Sequence, residues 1–304
     1  MEAGVRNRIA LLLLLALGLA GCQESKKRTI AVIPKGTAHL FWVTVRQGAE
    51  DAGKEFGVDI LWNGPAQETD YGRQLEILDS MINRHVDGIV VAATEKKVLN
   101  QSLARAKQLG IPVTVFDSGV DSDDYISFVA TNNFEAGQLG ARKLAALLGG
   151  KGKVAVVMNA PGSASTVERE RGFADAMSKE FPEIQVVATQ FGMSDRAKSM
   201  AVAENMLTAH PDLNGMFASA EPMSVGASQA LKSRSLAGKV KFVGFDSSEG
   251  LIADMKAGVI DALVVQDPHK IGYEAVKTIV DKLNGKTPSK RLDLGAKVIT
   301  KSDS

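Results

Sequence analysis

The amino-acid sequence predicts an α/β protein with two similar lobes, each a parallel sheet flanked by helices. Ten short apolar segments alternate with nine longer amphipathic segments, which is the pattern of strands joined by helical crossovers. The strand segments are apolar along most of their length, as expected of parallel strands buried on both faces. Ten strands are many for one sheet, and 304 residues are enough for about two domains of roughly 150 residues.

The predicted strands fall into two series of five. The strands of the first series are 29–34, 58–62, 88–92, 112–116 and 126–130, and those of the second are 153–159, 184–190, 215–218, 240–245 and 262–266. Helices are predicted at 39–55, 70–84, 97–109, 133–148, 166–180, 194–209, 222–235, 248–257 and 268–284. The break between the lobes is predicted near Thr131-Asn132, after the fifth strand.

Residues with strong positional preferences mark several helix ends. Gly57 and Gly110 follow predicted helices and precede strands, which is typical of a C-terminal cap. Thr69-Asp70, Ser194-Asp195 and Ser247-Ser248 precede helices and offer the oxygen atoms that cap free backbone N–H groups.

The composition excludes several classes of function. The chain has 36 Lys and Arg against 35 Asp and Glu, so it has no large field of one sign to hold a nucleic acid. Four His and one Cys leave little material for a metal or disulfide framework. No nucleophile elbow, zinc-protease motif or closed phosphate loop is present. We therefore expect no metal, no cofactor, no nucleic-acid partner and no enzymatic activity.

The N-terminus has the pattern of an export signal. Arg6 and Arg8 precede a 12-residue apolar run, Ile9 to Ala20, which is too short for a permanent span of about 20 residues. A buried core helix is the alternative. Leu19-Ala20-Gly21-Cys22 resembles the bacterial lipobox, which implies residues 1–21 as a signal peptide, lipidation of Cys22, and 22–28 as a tether. Without 1–21 the chain has 34 basic and 34 acidic side chains, since Arg6, Arg8 and Glu2 are lost.

The loops that leave the strands carry the candidate functional residues, because open α/β sheets bind ligands outside the carboxyl ends of their strands. The first such loop contains Lys35 and His39, and Phe41 and Trp42 follow it. An aromatic ring can stack on the apolar face of a sugar, while lysine and histidine supply hydrogen bonds. Packing in the core is the alternative for each aromatic residue.

Polar residues also follow the later strands. Asp117 ends the fourth strand as a carboxylate that can accept two hydrogen bonds, with a simple turn residue as the alternative. Either Arg169 or Arg171, after the sixth strand, is expected to face the cleft. Three further strand-end residues are Glu221, Asp246 and Gln266. Asp117 and Asp246 could also form a catalytic carboxylate pair, but ligand binding explains both without catalysis.

These residues together resemble the periplasmic sugar-binding proteins of ABC importers, of the ribose- and galactose-binding type. The resemblance covers residues 29–300. It rests on Phe41-Trp42-Val43, Gln47-Gly48-Ala49, Ile111-Pro112-Val113 with Asp117, Arg169-Glu170-Arg171-Gly172, Leu207 to Asp212, Val243 to Asp246, and Gln266 with Ile271-Gly272.

The resemblance implies a periplasmic-binding-protein-like fold of class I, with three hinge crossovers near Thr131, Gln266 and Asp293. The implied N-terminal lobe is 29–131 plus 267–293, and the C-terminal lobe is 132–266 plus 294–304. The implied ligand is a sugar held between the lobes. Phe41 and Trp42 would stack on it, Asp117 would bind its hydroxyl groups, and a polar clamp of Arg169, Asp246 and Gln266 would come from the second lobe and hinge.

Three departures from the ribose-binding pattern indicate a different pocket. Lys35 replaces a small polar residue and His39 an asparagine; Ser118 stands where arginine is frequent; and Ala220-Glu221 replaces an Asn–Asp pair. Other segments are closer to the autoinducer- and rhamnose-binding relatives. We expect a neutral mono- or small oligosaccharide or polyol as ligand, with a furanosyl signalling molecule as the alternative.

The resemblance also implies the partners and the location. We expect an exported monomer that is lipid-anchored on the periplasmic side of a bacterial membrane and delivers its ligand to an ABC permease in the inner membrane. A chemotaxis sensor without a permease is an alternative. A transcriptional regulator of the same fold would need an N-terminal helix-turn-helix where the lipobox stands.

Overall fold

The computed structural model describes residues 27–303. The predicted signal peptide, Cys22 and most of the tether lie outside these residues. Twelve strands are present, with bounds Thr29–Ile33, Asp59–Trp62, Gly88–Val91, Val113–Phe116, Ser127–Thr131, Gly152–Met158, Ile184–Phe191, Gly215–Ala218, Lys241–Phe245, Ala262–Val265, Arg291–Leu294 and Lys297–Ile299 (β1 to β12). The α-helices of the described part are Leu40–Phe56, Tyr71–Asn83, Asn100–Gln108, Asn133–Leu148, Ala164–Glu180, Arg196–Ala209, Glu221–Ser233, Glu249–Lys256 and Pro268–Leu283 (α1 to α9).

The strands form two six-stranded sheets, with the orders β11-β5-β4-β3-β1-β2 and β12-β10-β9-β8-β6-β7. All strand pairs are parallel except β10 with β12. Helices cover both faces of each sheet, so each lobe has two apolar layers. In the N-terminal lobe, one layer contains Val45 and Ile271 and the other contains Ile82 and Leu103. The predicted α/β class with two lobes is confirmed.

The sequence pattern missed the sixth strand of each sheet. β11 and β12 are four and three residues long and carry the charged residues Arg291, Asp293 and Lys297. Both are edge strands, which are commonly short and charged, so they lack the apolar run that identified the other ten.

The chain passes between the sheets at three places. It leaves the first sheet after β5 at Thr131 and the second after β10 at Val265. The third passage lies between β11 and β12, and β11 extends to Leu294, one residue beyond the boundary expected from the sequence. The first and third passages contact each other, because the Asn132 amide donates to the Leu294 carbonyl at 3.0 Å.

The helix that follows each of the first two passages packs closely on the helix that follows the first strand of the lobe it enters, α4 on α5 and α9 on α1. In the C-terminal lobe, α4 and α5 meet at Gly137 and Gly172. A Cβ atom on Gly137 would lie 1.9 Å from the Arg169 carbonyl oxygen, and one on Gly172 would lie 2.0 Å from the Phe134 carbonyl oxygen. Only glycine allows this approach, which fixes the position of Arg169.

We expect Gly172→Ala to lower the free energy of unfolding by more than about 2 kcal/mol, because backbone must move to admit the methyl group. Gly72→Ala is the matched control: Gly72 is exposed in α2 with nothing within 4 Å of an added Cβ. This control should be stabilised by up to about 1 kcal/mol, because alanine favours a helix. Urea denaturation measures both, and equal effects would contradict the expectation.

Candidate functional site

The carboxyl ends of the strands in both lobes surround one cavity. Nine side chains predicted as site residues line it: Lys35, His39, Phe41, Trp42, Asp117, Arg169, Glu221, Asp246 and Gln266. Six further residues that were not among the predicted site residues also line it: Glu68, Asn159, Ser165, Thr166, Ala220 and Pro222. The structure therefore brings all nine candidates to one place.

Lys35 forms the centre of a buried charged cluster in the N-terminal lobe. Its Nζ lies 3.3 Å from Asp117 Oδ2 and 3.6 Å from Glu68 Oε2. Nζ also donates to the Ser163 and Ser165 hydroxyl groups of the other lobe, at 3.1 and 3.2 Å. Burial alone would lower the pKa of Lys35, but the two carboxylates outweigh it and raise the pKa, so the amine is charged.

Glu68 is held by hydrogen bonds from both lobes. It accepts from Trp42 Nε1 at 2.7 Å and from the Ser194 hydroxyl at 3.1 Å. Burial would raise the pKa of Glu68, but Lys35 and His39 outweigh it and lower the pKa. Glu68 was missed because it lies six residues beyond β2, next to Thr69-Asp70, a pair that we interpreted only as a helix cap.

Asp117 and Asp246 occupy equivalent positions in the two lobes. Both follow a phenylalanine that ends a buried strand, and both adopt left-handed backbone conformations with φ of 54° and 65°. Each backbone amide donates to the next strand, Asp117 to Val129 at 2.9 Å and Asp246 to Val264 at 2.8 Å. Such conformations are uncommon for residues other than glycine and concentrate at binding sites.

Burial raises the pKa of both Asp117 and Asp246. The charges of Lys35 beside Asp117 and Arg169 beside Asp246 oppose this effect without cancelling it. Asp117 Oδ2 is buried and has no hydrogen-bond partner. Hydroxyl groups of a ligand would supply the missing donors and favour the ionised carboxylates.

The Arg169 guanidinium is buried among fixed partners. Nε and Nη2 donate to Asn133 Oδ1 at 3.2 and 2.7 Å, and Nη1 donates to the Ser219 carbonyl. Its Cζ lies 3.4 Å from the centre of the Phe245 ring. Arg171 instead lies on the surface and pairs with Glu168. Of the two candidate arginines, only Arg169 faces the cavity.

Gln266 connects the first two chain passages with the cavity. Its Oε1 accepts from the Thr131 hydroxyl at 2.6 Å, and its Nε2 donates to Asp246 Oδ1 at 2.7 Å. A side chain on one hinge segment therefore holds a second hinge segment and a cavity carboxylate together.

Glu221 begins α7 and faces the cavity from the C-terminal lobe. Oε1 accepts from Arg196 Nη2 at 2.6 Å, and the Glu221 amide donates to Asp246 Oδ2 at 3.1 Å. Oε2 is buried without a hydrogen-bond partner and lies 3.7 Å from His39 Nδ1 of the other lobe.

The aromatic pair serves both the core and the cavity. Trp42 is 1% exposed and packs in the N-terminal core. It contacts Phe41 and Phe116 edge to face, with ring centres 4.9 and 6.1 Å apart. Both Phe41 and Trp42 line the cavity, so the core and ligand-binding interpretations of Trp42 are compatible.

The described part of the chain shows neither a metal-binding cluster nor a membrane-spanning helix. Between residues 27 and 303, no group of three or more His, Cys, Asp and Glu side chains is arranged to hold a metal ion. None of the helices in that range has the length and apolar character that crossing a membrane requires.

Comparisons with known sequences agree with this geometry. A family model described as a periplasmic binding protein domain matches residues 30–287. A ribose import binding protein of Bacillus subtilis is 29% identical over 278 residues, which cover 91% of this chain and 88% of that protein. The D-allose-binding periplasmic protein of Escherichia coli is 31% identical over 259 residues, 83% of each chain.

Solved structures give the same result. A carbohydrate transporter solute-binding protein from Agrobacterium radiobacter, in complex with D-arabinose, superposes with a TM-score of 0.89 at 33% identity, covering 92% of this chain and 96% of that one. An ABC transporter solute-binding protein from Agrobacterium vitis with bound D-fucose superposes with a TM-score of 0.88 at 33% identity, covering 90% of this chain and 96% of that one. These relatives are named as binding proteins and not as enzymes. The chain therefore belongs to the periplasmic binding protein family.

Proposed function

We propose that this protein is the solute-binding component of an ABC importer and traps a neutral sugar or polyol between its lobes. The observation that carries the proposal is one polar cavity whose walls come from both lobes. Carboxylate, amide and hydroxyl side chains line it together with two aromatic rings, which suits a ligand that carries several hydroxyl groups on an apolar ring. The relatives named for ribose, D-allose and D-arabinose support this ligand class.

Each lining residue has a role in this proposal. Phe41 and Trp42 contact the apolar C–H groups of the sugar, while Asp117 accepts from its hydroxyl groups. Arg169, Asp246 and Gln266 form the polar wall on the other lobe and the hinge. Lys35, His39 and Glu221 complete the hydrogen-bonding pattern. None of these roles requires the carboxylates to take part in catalysis.

The proposal extends to export and delivery. Residues 1–21 direct export, lipid on Cys22 anchors the protein at the periplasmic side of a membrane, and 22–28 is the tether. The closed lobes present the sugar to a permease in the inner membrane, and the protein acts as a monomer. The N-terminal pattern and the family support this part.

A ligand panel tests the function. We expect at least one of D-ribose, D-allose, D-arabinose and D-fucose to raise the melting temperature of the purified protein by mass action, while L-leucine, a solute of another class, does not. Because ligand must favour the closed lobes, the same sugar should decrease the radius of gyration in small-angle scattering. Stabilisation by no sugar would contradict the proposal, and stabilisation by autoinducer analogues alone would favour the signalling alternative.

A further inference from the structure

Two carboxylate oxygens of the cavity have no hydrogen-bond partner in the protein. They are Asp117 Oδ2 on the N-terminal lobe and Glu221 Oε2 on the C-terminal lobe. The two residues are 4% and 1% exposed. Only four buried side-chain nitrogen or oxygen atoms within the described range lack a partner, so half of them lie in this one place. Buried acceptors without donors are costly, and a ligand that brings donors to both lobes removes the cost.

The cations of the cavity, in contrast, already have hydrogen-bond partners in the protein. Lys35 Nζ already donates to two serine hydroxyl groups and lies against Asp117. Each of the three Arg169 guanidinium nitrogens donates to Asn133 or to the Ser219 carbonyl. An incoming anion would therefore find cations whose donors are already engaged by groups of the protein. Glu221 Oε2, in contrast, accepts no hydrogen bond, and Asp117 Oδ2 has only its ion pair with Lys35.

Arg196 determines which Glu221 oxygen is free. It is the first residue of α6 and lies outside the cavity lining, with a side chain that is 45% exposed. Gly226 allows the close approach of α6 and α7, since a Cβ there would lie 2.7 Å from the Arg196 carbonyl oxygen. Because Arg196 engages Oε1 at 2.6 Å, Oε2 is the oxygen left facing His39 across the cleft.

The carboxylate of Glu221 adds to this pattern. It is one of four carboxyl groups that line the cavity, with Glu68, Asp117 and Asp246, and the basic side chains there are Lys35, His39 and Arg169. A sugar carboxylate or phosphate placed beside Glu221 would meet like charge in a site of low effective dielectric, where repulsion is poorly screened. A hydroxyl group at the same place would donate to Oε2.

We propose that Glu221, oriented by Arg196, restricts the cavity to neutral sugars that present a hydroxyl donor there, and excludes sugar acids and sugar phosphates. Glu221 is the specificity-determining residue and Arg196 the positioning residue. This inference rests on the proposed function, because it names the ligand class of the same site.

Isothermal titration calorimetry on matched ligand pairs tests it. The pairs are D-glucose with D-glucuronate, D-galactose with D-galacturonate, and D-ribose with D-ribose 5-phosphate. We expect the wild type to bind a neutral member at least about 100-fold more tightly than its anionic partner. Glu221→Gln should lower the affinity for the neutral member about tenfold and bring the affinities for the neutral and anionic members closer together. Glu249→Gln, an exposed change of the same type and charge in the same lobe, is the control.

Arg196 variants separate positioning from a structural role. Arg196→Ala should lower the affinity for the neutral sugar about tenfold, and Arg196→Lys should retain most of the wild-type affinity. In a Glu221→Gln background, Arg196→Ala should have no further effect, since the two act as one unit. Arg234→Ala at an exposed position of the same lobe is the charge control, and thermal melts show that each variant is folded.

The outcomes distinguish the two levels of the proposal. If the wild type binds none of the six compounds and no sugar of the thermal-shift panel, the proposed function and this inference both fail. If it binds a neutral sugar but the Glu221 variant keeps the same preference, only the inference fails. Additive effects of the Arg196 and Glu221 changes would also overturn the positioning role, as would equal affinity for neutral and anionic partners.

Discussion

Lys35→Met is expected to lower the free energy of unfolding by about 3–5 kcal/mol, the usual cost of removing one partner from a buried ion pair. Lys35 is 4% exposed, and its amine is the cation beside both Asp117 and Glu68. Methionine fills a similar volume but leaves both carboxylates without their charge partner. It also removes the two hydrogen bonds to the Ser163 and Ser165 hydroxyl groups.

Denaturant unfolding of wild type and variant measures this loss. Lys54→Met is the matched control, because Lys54 pairs with Asp51 at 3.3 Å but its side chain is 73% exposed. Exposed ion pairs contribute less than about 1 kcal/mol to the free energy of unfolding, so the control should be almost as stable as the wild type. A Lys35→Met variant as stable as this control would show that Asp117 and Glu68 do not depend on the ammonium group.

Asp117→Ala is expected to weaken sugar binding about 100-fold, or about 3 kcal/mol, while the fold is retained. The change removes an acceptor whose Oδ2 accepts no hydrogen bond in the protein, so ligand hydroxyl groups lose their hydrogen bonds in a buried site. Calorimetry with the tightest-binding sugar of the panel measures the change. Asp121→Ala, in the exposed part of the same loop, should bind as the wild type does.

The raised pKa of Asp117 adds a pH dependence with a definite sign. Because burial raises the pKa above 3.8, the ligand-free protein holds this proton at pH values where an ordinary aspartate is ionised. Ligand donors favour the ionised form, so binding releases the proton and affinity falls as pH decreases through the raised pKa. Part of this dependence should remain in Asp117→Ala, because burial also raises the pKa of Asp246. Affinity that is independent of pH would contradict the assignment.

The sequence predicted those parts of the fold that have a local signature. Strands such as Gly215–Ala218 are fully buried. The apolar runs that result can be recognised in the sequence without knowledge of the tertiary structure. Predicted caps at Asp70, Asp195 and Ser248 each accept a backbone N–H of their helix. β11 and β12 were missed because they are only four and three residues long and contain charged residues, as is common for edge strands.

The candidate site was predictable to the extent that strand ends converge. Asp117, Asp246 and Gln266 were found by that rule, since each directly follows a buried strand. Glu68 and Arg196 were not found, because they reach the site through loop and helix geometry that one sequence does not encode locally. The residues alone did not distinguish Arg169 from Arg171, and the family resemblance favoured Arg169. The glycine contact between α4 and α5 determines the helix rotation that brings Arg169 to the cavity.

The hydrogen bonds that join the lobes affect more than the shape of the cavity. Lys35 with Ser163 and Ser165, Glu68 with Ser194, and Ser118 with the Ser165 amide are contacts of the protein with itself. They therefore favour closure before any ligand arrives. The apparent dissociation constant equals the intrinsic one divided by the fraction of binding-competent molecules. Substitution of a residue such as Ser163, which does not line the cavity, can thus change the affinity for the ligand. It does so by changing the fraction of binding-competent molecules, while every contact with the ligand stays the same.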